Sequence, residues 1–312
     1  MDLSIVVPVY RSEVLLPELV RRVDTAIAAG LPDKSYELIL VNDCSPDRSW
    51  QVIEQACRDS GKVKGVNLRR NSGQHNSIMA GLRHASGQVV IVMDDDLQHA
   101  PEDIPKLYAS VLDGYDLCYA AFRHPNHALW KRAGSAFRDL TAAMLLGVPR
   151  GVRISSFKAM KAPIAAEIVR YGGPFPYVDG LAFMVTHNAG NVELEHHPRP
   201  QGRGNYGLRE SVLLWTRVAM NFSVVPLRLA AWLGLAFAAL GFFFAAYLVF
   251  QKVAFDRIPV PGWSSLVVVI LVVGGVQLIA LGAVGEYLGR AYLHLNGKPQ
   301  YVIKSKAGFG AG

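Results

Sequence analysis

Up to Ala121, short apolar runs rich in β-branched residues alternate with segments whose apolar residues recur every three or four positions. The short runs predict strands, and the segments between them predict helices that begin near proline or end near glycine. The predicted strands are Ser4–Val9, Tyr36–Asn42, Val63–Leu68, Val89–Asp94 and Asp116–Ala121. The predicted helices are Ser12–Ala29, Asp47–Asp59, Gly73–Ala85 and Pro101–Leu112. This alternation predicts an α/β fold with a mostly parallel sheet, which binds ligands at the carboxyl ends of its strands.

Two longer apolar stretches follow towards the C-terminal end of the chain. Leu229–Phe250 and Ser264–Gly285 each comprise 22 residues without a charged side chain. A helix of that length crosses a hydrocarbon layer of roughly 30 Å, whereas buried core helices are usually shorter. Basic residues are denser outside this pair than in the short connecting loop, which indicates that both ends are cytoplasmic. The pattern therefore predicts a two-helix transmembrane hairpin.

Net charge changes this picture little. The formal net charge is +7, but seven basic and two acidic residues lie from Leu227 onward, so the preceding part is near neutral. A nucleic-acid binder more often has a concentrated basic stripe, so no nucleic-acid partner is expected. Cys44, Cys57 and Cys118 lie far apart, which suits a reduced compartment, and no signal peptide is expected.

The strand–helix alternation stops after Ala121. Ala128–Leu146 and Gly207–Val225 mix apolar and basic residues, and the sequence leaves open whether they lie at a membrane surface or pack in the ordinary way. The segment from Gly297 onward contains several glycines and lysines and is expected to be loosely ordered.

Three consecutive carboxylates, Asp94, Asp95 and Asp96, follow the fourth predicted strand. Clustered negative charge is unfavourable unless a cation balances it. In extended backbone Asp94 and Asp96 project to the same side, and their hard oxygens suit Mg²⁺ or Mn²⁺ that also holds diphosphate oxygens. Gln98 continues this spacing as a neutral oxygen ligand. The alternative is a solvated acidic turn.

Two further polar segments lie where ligands are expected. Asp43 follows the second predicted strand, where its carboxylate can accept from a nucleobase or ribose, although a turn or N-cap role is equally open. Asn71–Asn76 opens the third predicted helix, so its backbone N–H groups could face a phosphate.

Taken together, four motifs resemble the family 2 glycosyltransferases. They are Pro8-Val9-Tyr10-Arg11-Ser12-Glu13, Val41-Asn42-Asp43-Cys44-Ser45, Asn71-Ser72-Gly73-Gln74 and Asp94-Asp95-Asp96-Leu97-Gln98. The resemblance is to the polyprenyl-phosphate branch, which includes dolichol-phosphate mannose synthases, bactoprenol-phosphate glucosyltransferases and undecaprenyl-phosphate aminoarabinose transferases. It continues through Pro226-Leu227-Arg228 and Gly285-Glu286-Tyr287-Leu288-Gly289-Arg290, on either side of the predicted hairpin.

The resemblance implies a GT-A nucleotide-binding fold and a set of site residues. The implied nucleotide-binding residues are Pro8, Tyr10, Glu13, Asp43 and Asp94, and the implied metal ligands are Asp96 and Gln98. Asp94 and Asp96 are also the residues expected to act in catalysis. The positions matching the family's acceptor-phosphate site are Arg123, Lys131, Arg132 and Ser135, with Arg203 where family members commonly have a lysine. The expected domains are residues 1–206 for catalysis, 207–226 for an interfacial helix, 227–290 for the hairpin and 291–312 for a cytoplasmic tail.

The implied reaction moves a sugar from a nucleotide diphosphate, with uracil as the expected base, to a polyprenyl phosphate, expected to be undecaprenyl phosphate. It would occur at the cytoplasmic face of a bacterial inner membrane, and an assembly of several copies is left open. Because the acceptor phosphate is largely deprotonated near neutral pH, no strong general base is required, and Asp95 and Asp179 are fallback candidates. Two alternatives are a processive polysaccharide synthase, whose Gln-x-x-Arg-Trp motif this sequence lacks, and a non-catalytic nucleotide-sugar-binding membrane protein.

Overall fold

The computed structural model of the chain describes residues 1–122, 147–149, 151–194, 225–255 and 262–310. The chain divides into two compact units. The first comprises Met1–Asn205 together with Gly297–Gly312, and the second comprises Tyr206–Asn296.

The first unit is built on a sheet in which the described residues contribute eight strands. These are β1 (Leu3–Val9), β2 (Tyr36–Asn42), β3 (Val63–Leu68), β4 (Val89–Val92), β5 (Leu117–Phe122), β6 (Lys158–Lys161), β7 (Ala189–Leu194) and β8 (Ile303–Ala307). Their order across the sheet is β7-β5-β6-β4-β1-β2-β3-β8. The central strands β4, β1, β2 and β3 are mutually parallel, as are β5 and β7, so the predicted mostly parallel sheet is confirmed.

Helices described in this unit pack against that sheet. They are α1 (Leu16–Gly30), α2 (Ser49–Asp59), α3 (Gln74–Leu82), α4 (Ile104–Leu112), α5 (Ala162–Val169) and α6 (Val178–Val185), with a 3₁₀ turn at Pro101–Asp103. Every residue of β1 and β2 is buried, as expected for strands covered on both faces. Where α3 crosses β1, a Cβ at Gly81 would lie 2.2 Å from Val6 Cγ1, so glycine is what permits their close approach.

The sheet also contains two strands, β6 and β8, that the sequence did not predict and that pair antiparallel with their neighbours. β6 pairs antiparallel with both β4 and β5, and β8 pairs antiparallel with β3. The expectation of a loosely ordered segment from Gly297 was therefore wrong for Ile303–Ala307, because these residues hydrogen-bond along the edge of the sheet. Gln300 anchors the approach to this strand, since its Nε2 donates to the carbonyl oxygens of Tyr171 and Gly173 at 2.7 Å each.

The described residues of the second unit form two long helices, α7 (Val225–Phe255) and α8 (Trp263–Leu295), which contact each other. By length and composition, one described segment, Val272–Leu293 within α8, is long and apolar enough to cross a membrane. A shorter apolar segment, Ala230–Phe244, lies in α7. The predicted interfacial segments Ala128–Leu146 and Gly207–Val225 lie outside the described residues, apart from Val225, which begins α7.

Candidate active site

A cavity of about 300 Å³ opens at the carboxyl edge of the sheet, where β1, β2 and β4 end and α3 begins. The cavity is lined by Pro8, Val9, Tyr10, Asp43, Asn71, Gly73, Gln74, Ser77, Asp94, Asp95 and Asp96. The structure therefore brings together Pro8, Tyr10, Asp43, Asp94 and Asp96 from the predicted site. Glu13 and Gln98 are not among the lining residues.

The three aspartates contact three different parts of the site. Asp94 Oδ1 accepts a hydrogen bond from Gln74 Nε2 at 2.7 Å, which ties it to the start of α3. Asp96 Oδ1 accepts from the backbone N–H of Gln98 at 3.1 Å, within its own loop. β4 ends at Val92, so the expectation that its strand extends to Asp94 was wrong, and this loop rather than strand alternation directs the aspartates.

Asp95 contacts the loop that follows β1. Its Oδ2 accepts from the backbone N–H of Tyr10 at 3.0 Å and from the hydroxyl of Ser12. Burial raises the pKa of Asp95 to about 6, although these two donors act in the opposite direction. Both donors approach Oδ2, and the role of Asp95 as a fallback base stays a prediction.

Asp43 holds the loop that leads into α3. Its two carboxylate oxygens accept from the backbone N–H groups of Ser72, at 2.7 Å, and Gly73, at 2.8 Å. These are two of the N–H groups that the sequence suggested could face a phosphate, so in this structure Asp43 satisfies them instead. Asp43 thus shapes one wall of the cavity that it lines.

Backbone strain also concentrates at this edge of the sheet. Among the described residues, the non-glycine residues with positive φ are Arg11 (59°), Cys44 (55°) and Leu97 (58°). They follow β1, β2 and β4, and φ values of this kind persist only where surrounding contacts hold them. Residues in such conformations gather at ligand sites, which supports the assignment of this edge as functional.

Glu13 lies beside the start of α2 rather than in the cavity wall. Its Oε2 accepts from the backbone N–H of Arg48 at 2.7 Å, and its own N–H donates to Asp47 Oδ2 at 3.3 Å. Glu13 therefore links the loop after β1 to the first turn of α2, and its role in nucleotide binding stays a prediction.

A buried ionic cluster that the sequence did not reveal joins β5, β6 and α6. The Lys158 ammonium pairs with the Asp179 carboxylate, and only 2% and 7% of their side chains are exposed. The Tyr119 hydroxyl donates to the same Asp179 oxygen at 3.0 Å. Asp179, a fallback base, is therefore engaged by a cation and a hydroxyl. The sequence signal was a lysine within the otherwise apolar run Phe157–Met160.

His75 connects α3 to α6 beside this cluster. Its Nδ1 accepts from the backbone N–H of Val178, the first residue of α6, at 3.4 Å, and its ring meets Tyr177 edge-on at 4.9 Å between centroids. Burial lowers the pKa of His75 to about 4, with a smaller opposing effect from Asp179 and a reinforcing one from Lys158. The neutral imidazole is what this contact requires, because Nδ1 must carry a lone pair to accept a hydrogen bond.

The predicted acceptor-phosphate residues cannot be placed on this geometry. Arg123, Lys131, Arg132, Ser135 and Arg203 all lie outside the described residues. The described part of the site is therefore the part expected to bind the nucleotide.

A divalent cation fits this donor set only as an ion shared with a substrate. No group of three or more His, Cys, Asp and Glu side chains in the described ranges is arranged to hold a metal by itself. Asp94 and Asp96 nevertheless present hard carboxylate oxygens to the cavity. Mg²⁺ is commonly bound by one or two carboxylates together with substrate phosphates, and that is the arrangement the cavity allows.

Comparisons with known proteins agree with this geometry. An undecaprenyl-phosphate 4-deoxy-4-formamido-L-arabinose transferase from Shewanella sediminis is 31% identical over 96% of this chain and 91% of its own length. The uncharacterized glycosyltransferase YkcC of Bacillus subtilis is 31% identical over 98% of this chain and 94% of its own length.

Among solved structures, glucosyl-3-phosphoglycerate synthase from Mycobacterium tuberculosis, in complex with Mg²⁺ and uridine diphosphate, has a TM-score of 0.51 and 19% identity. The alignment covers 70% of this chain and 77% of that one, and the likeness shows the GT-A fold. Residues 4–168 match the family described as glycosyl transferase family 2, which is more than half of the chain. With the near full-length relatives, this match shows that the chain is a glycosyltransferase and belongs to family 2.

Proposed function

We propose that this enzyme transfers a sugar from a nucleotide diphosphate, most simply a uridine diphosphate, to undecaprenyl phosphate. The observation that carries the proposal is the cavity that gathers Tyr10, Asp43, Asp94 and Asp96 at the carboxyl edge of the sheet. The name of the Shewanella relative, which states undecaprenyl phosphate, supports the acceptor. The mycobacterial synthase bound to Mg²⁺ and uridine diphosphate supports the donor class and the cation.

In the proposed donor site, different lining residues contact different parts of the nucleotide. Pro8, Tyr10 and Asp43 bind the nucleoside part, and Asp94 with Asp96 faces the diphosphate. Gln98 joins Asp96 as a metal ligand in this proposal. The divalent cation, Mg²⁺ or Mn²⁺, would neutralise the diphosphate as it leaves.

The proposed reaction is a single displacement that inverts the anomeric carbon. An oxygen of the lipid phosphate forms the new bond to that carbon, and the bond from the carbon to the diphosphate oxygen breaks. A phosphate monoester has a second pKa of about 6, so the nucleophile is largely deprotonated at neutral pH. The proposal therefore needs no dedicated base, and the two fallback candidates, Asp95 and Asp179, each accept hydrogen bonds from other groups of the protein.

The acceptor requires a membrane, and α7 and α8 supply the proposed anchor. We place both helices across a bacterial inner membrane as a hairpin, with the catalytic unit and the chain after α8 on the cytoplasmic side. The proposed acceptor-phosphate residues are Arg123, Lys131, Arg132, Ser135 and Arg203, because arginine forks and lysine charges suit a phosphate.

The donor site is tested by Asp96→Asn. The variant should lose sugar transfer and metal-dependent binding of the nucleotide while keeping its melting temperature. Asp113→Asn, at an exposed residue that follows α4, is the matched control and should behave as wild type. Full wild-type transfer in excess EDTA would refute the proposed role of the cation.

The hairpin is tested by cysteine labelling in sealed vesicles of both orientations. In a background without the three native cysteines, Lys304→Cys at an exposed position of β8 should label from the cytoplasmic side. Asp256→Cys, between the two helices in sequence, should label from the other side. Labelling of both positions from one side would reject the hairpin.

A further inference from the structure

Asp95 makes contacts unlike those of the two aspartates beside it. Two donors, the Tyr10 N–H at 3.0 Å and the Ser12 hydroxyl, approach the same oxygen, Oδ2. The donors belong to the loop after β1, whereas Asp95 belongs to the loop after β4. One carboxylate oxygen therefore joins two loops that both line the cavity.

The loop after β1 needs such contacts to keep its shape. Arg11, between the two donors, has a φ of 59°, which a non-glycine residue adopts only when its surroundings impose it. On one side the loop is held by serines of the β2–α2 region, because Arg11 N–H donates to Ser45 Oγ at 3.2 Å and Ser12 N–H donates to Ser49 Oγ at 3.0 Å. On the other side, Asp95, in the loop after β4, holds the loop by accepting from Tyr10 N–H and the Ser12 hydroxyl.

The same loop carries Tyr10, which is 44% exposed and lines the cavity. We propose that Asp95 is a positioning residue, which fixes Tyr10 relative to Asp94 and Asp96 so that one nucleotide diphosphate can contact both loops. This inference rests on the proposed donor site. It means that Asp95 acts by holding Tyr10 in position, and not by the effect of its negative charge on the diphosphate.

Geometry and charge can be separated because both donors use one oxygen. In Asp95→Asn, the amide oxygen can take the place of Oδ2 and accept from Tyr10 N–H and Ser12 hydroxyl, while the negative charge is lost. In Asp95→Ala, both hydrogen bonds are lost. A positioning role predicts that asparagine rescues function, and a charge role predicts that it does not.

The experiment measures binding of uridine diphosphate with Mn²⁺ to the full-length enzyme in detergent, and then the kinetic constants for transfer to undecaprenyl phosphate. Asp95→Ala should weaken uridine diphosphate binding and raise the KM for the donor by about tenfold, since hydrogen bonds to a carboxylate are among the stronger ones. Asp95→Asn should stay within roughly threefold of wild type, by the same reasoning. The KM for the lipid acceptor should not change in either variant.

Ser12→Ala provides a second variant if Asp95→Ala does not fold. It removes one of the two donors and leaves the Tyr10 contact, so it should weaken uridine diphosphate binding by a smaller factor than Asp95→Ala. An asparagine variant as defective as the alanine variant would overturn the inference, as would an alanine variant that binds normally or one in which donor and acceptor KM rise together. Failure of the wild-type enzyme to bind any nucleotide diphosphate with metal would instead overturn the proposed function itself.

Discussion

His75 should make the stability of the folded enzyme depend on pH, because folding holds this residue neutral. Its pKa falls from 6.5 to about 4 in the folded protein, chiefly through burial. Between these values the unfolded chain binds a proton that the folded chain does not, so the free energy of unfolding rises with pH. The contribution is fully present above pH 6.5 and is lost as pH falls through about 4.

The magnitude follows from the size of the shift. Each unit of pKa corresponds to about 1.4 kcal/mol, so a fall from 6.5 to about 4 is worth about 3 kcal/mol. For a domain of this size about 1 kcal/mol moves the melting temperature by roughly 2–4 °C, so the full effect is on the order of 10 °C.

The assay compares thermal unfolding of the full-length wild type with His75→Asn between pH 4 and 7.5. The asparagine oxygen can still accept from Val178 N–H, but the side chain does not titrate. Asp179 and Lys158, which face the imidazole from α6 and β6, are present in both proteins, so the comparison isolates the imidazole. The wild type should lose more stability than the variant as pH falls below 6.5. Parallel melting curves across this range would refute the reasoning.

Three further outcomes follow from the structure and the proposed acceptor site. Lys158→Met leaves the Asp179 carboxylate buried without its cation and should lower the free energy of unfolding by about 3–5 kcal/mol, measured by thermal melting. Adding Asp179→Leu should recover part of that loss, and a double variant no more stable than the single one would contradict the pairing. Gly87→Ala should destabilise by about 1–3 kcal/mol in the same assay, because its Cβ would lie 2.5 Å from a backbone nitrogen of β1. Gly61→Ala, whose Cβ meets no atom within 4 Å, is the control and should melt as wild type does. Arg123→Ala should reduce efficiency towards the lipid acceptor by about one to two decades through loss of a charge-assisted contact, with Arg123→Lys intermediate. If Arg123→Ala instead weakens donor binding and leaves acceptor dependence unchanged, Arg123 does not bind the acceptor phosphate.

Much of the central sheet could be predicted because its signal is local. β2 and β3 have the predicted bounds, Tyr36–Asn42 and Val63–Leu68. β2 contains the apolar run Leu38–Val41, and Val63, Val66 and Leu68 supply the large apolar side chains of β3. β4 ends two residues early, at Val92, where pairing with β6 ends as well. The aspartates that follow lie in a loop with Leu97 at a φ of 58°, which strand alternation does not describe.

β6 and β8 could not be predicted, because what stabilises them lies far away in sequence. β8 reads as a polar tail, and its pairing partner β3 is more than 200 residues earlier. β6 is four residues long with lysine at both ends, and Lys158 is buried only because Asp179 is beside it. The local sequence shows a lysine among apolar residues but not the carboxylate, 21 residues later, that pairs with it.

The sequence predicted which residues form the candidate site better than it predicted the contacts between them. The resemblance indicated Tyr10, Asp43, Asp94 and Asp96, and all four line one cavity. The sequence does not predict that Asp43 accepts hydrogen bonds from the N–H groups of the loop before α3. It also does not predict that Asp95 contacts the loop after β1. These contacts depend on how three separate loops meet at the sheet edge, which only the folded chain defines.

The most direct test of the proposed function is detection of its product. Purified full-length enzyme would be incubated with Mn²⁺, undecaprenyl phosphate and a panel of uridine diphosphate sugars, and the lipid fraction analysed by mass spectrometry. The account predicts a sugar joined to undecaprenyl phosphate for at least one donor. NMR should show that the anomeric configuration of the product is inverted relative to the donor, and no product should form in EDTA. Donor turnover that yields only free sugar, or a lipid product formed equally in EDTA, would contradict it.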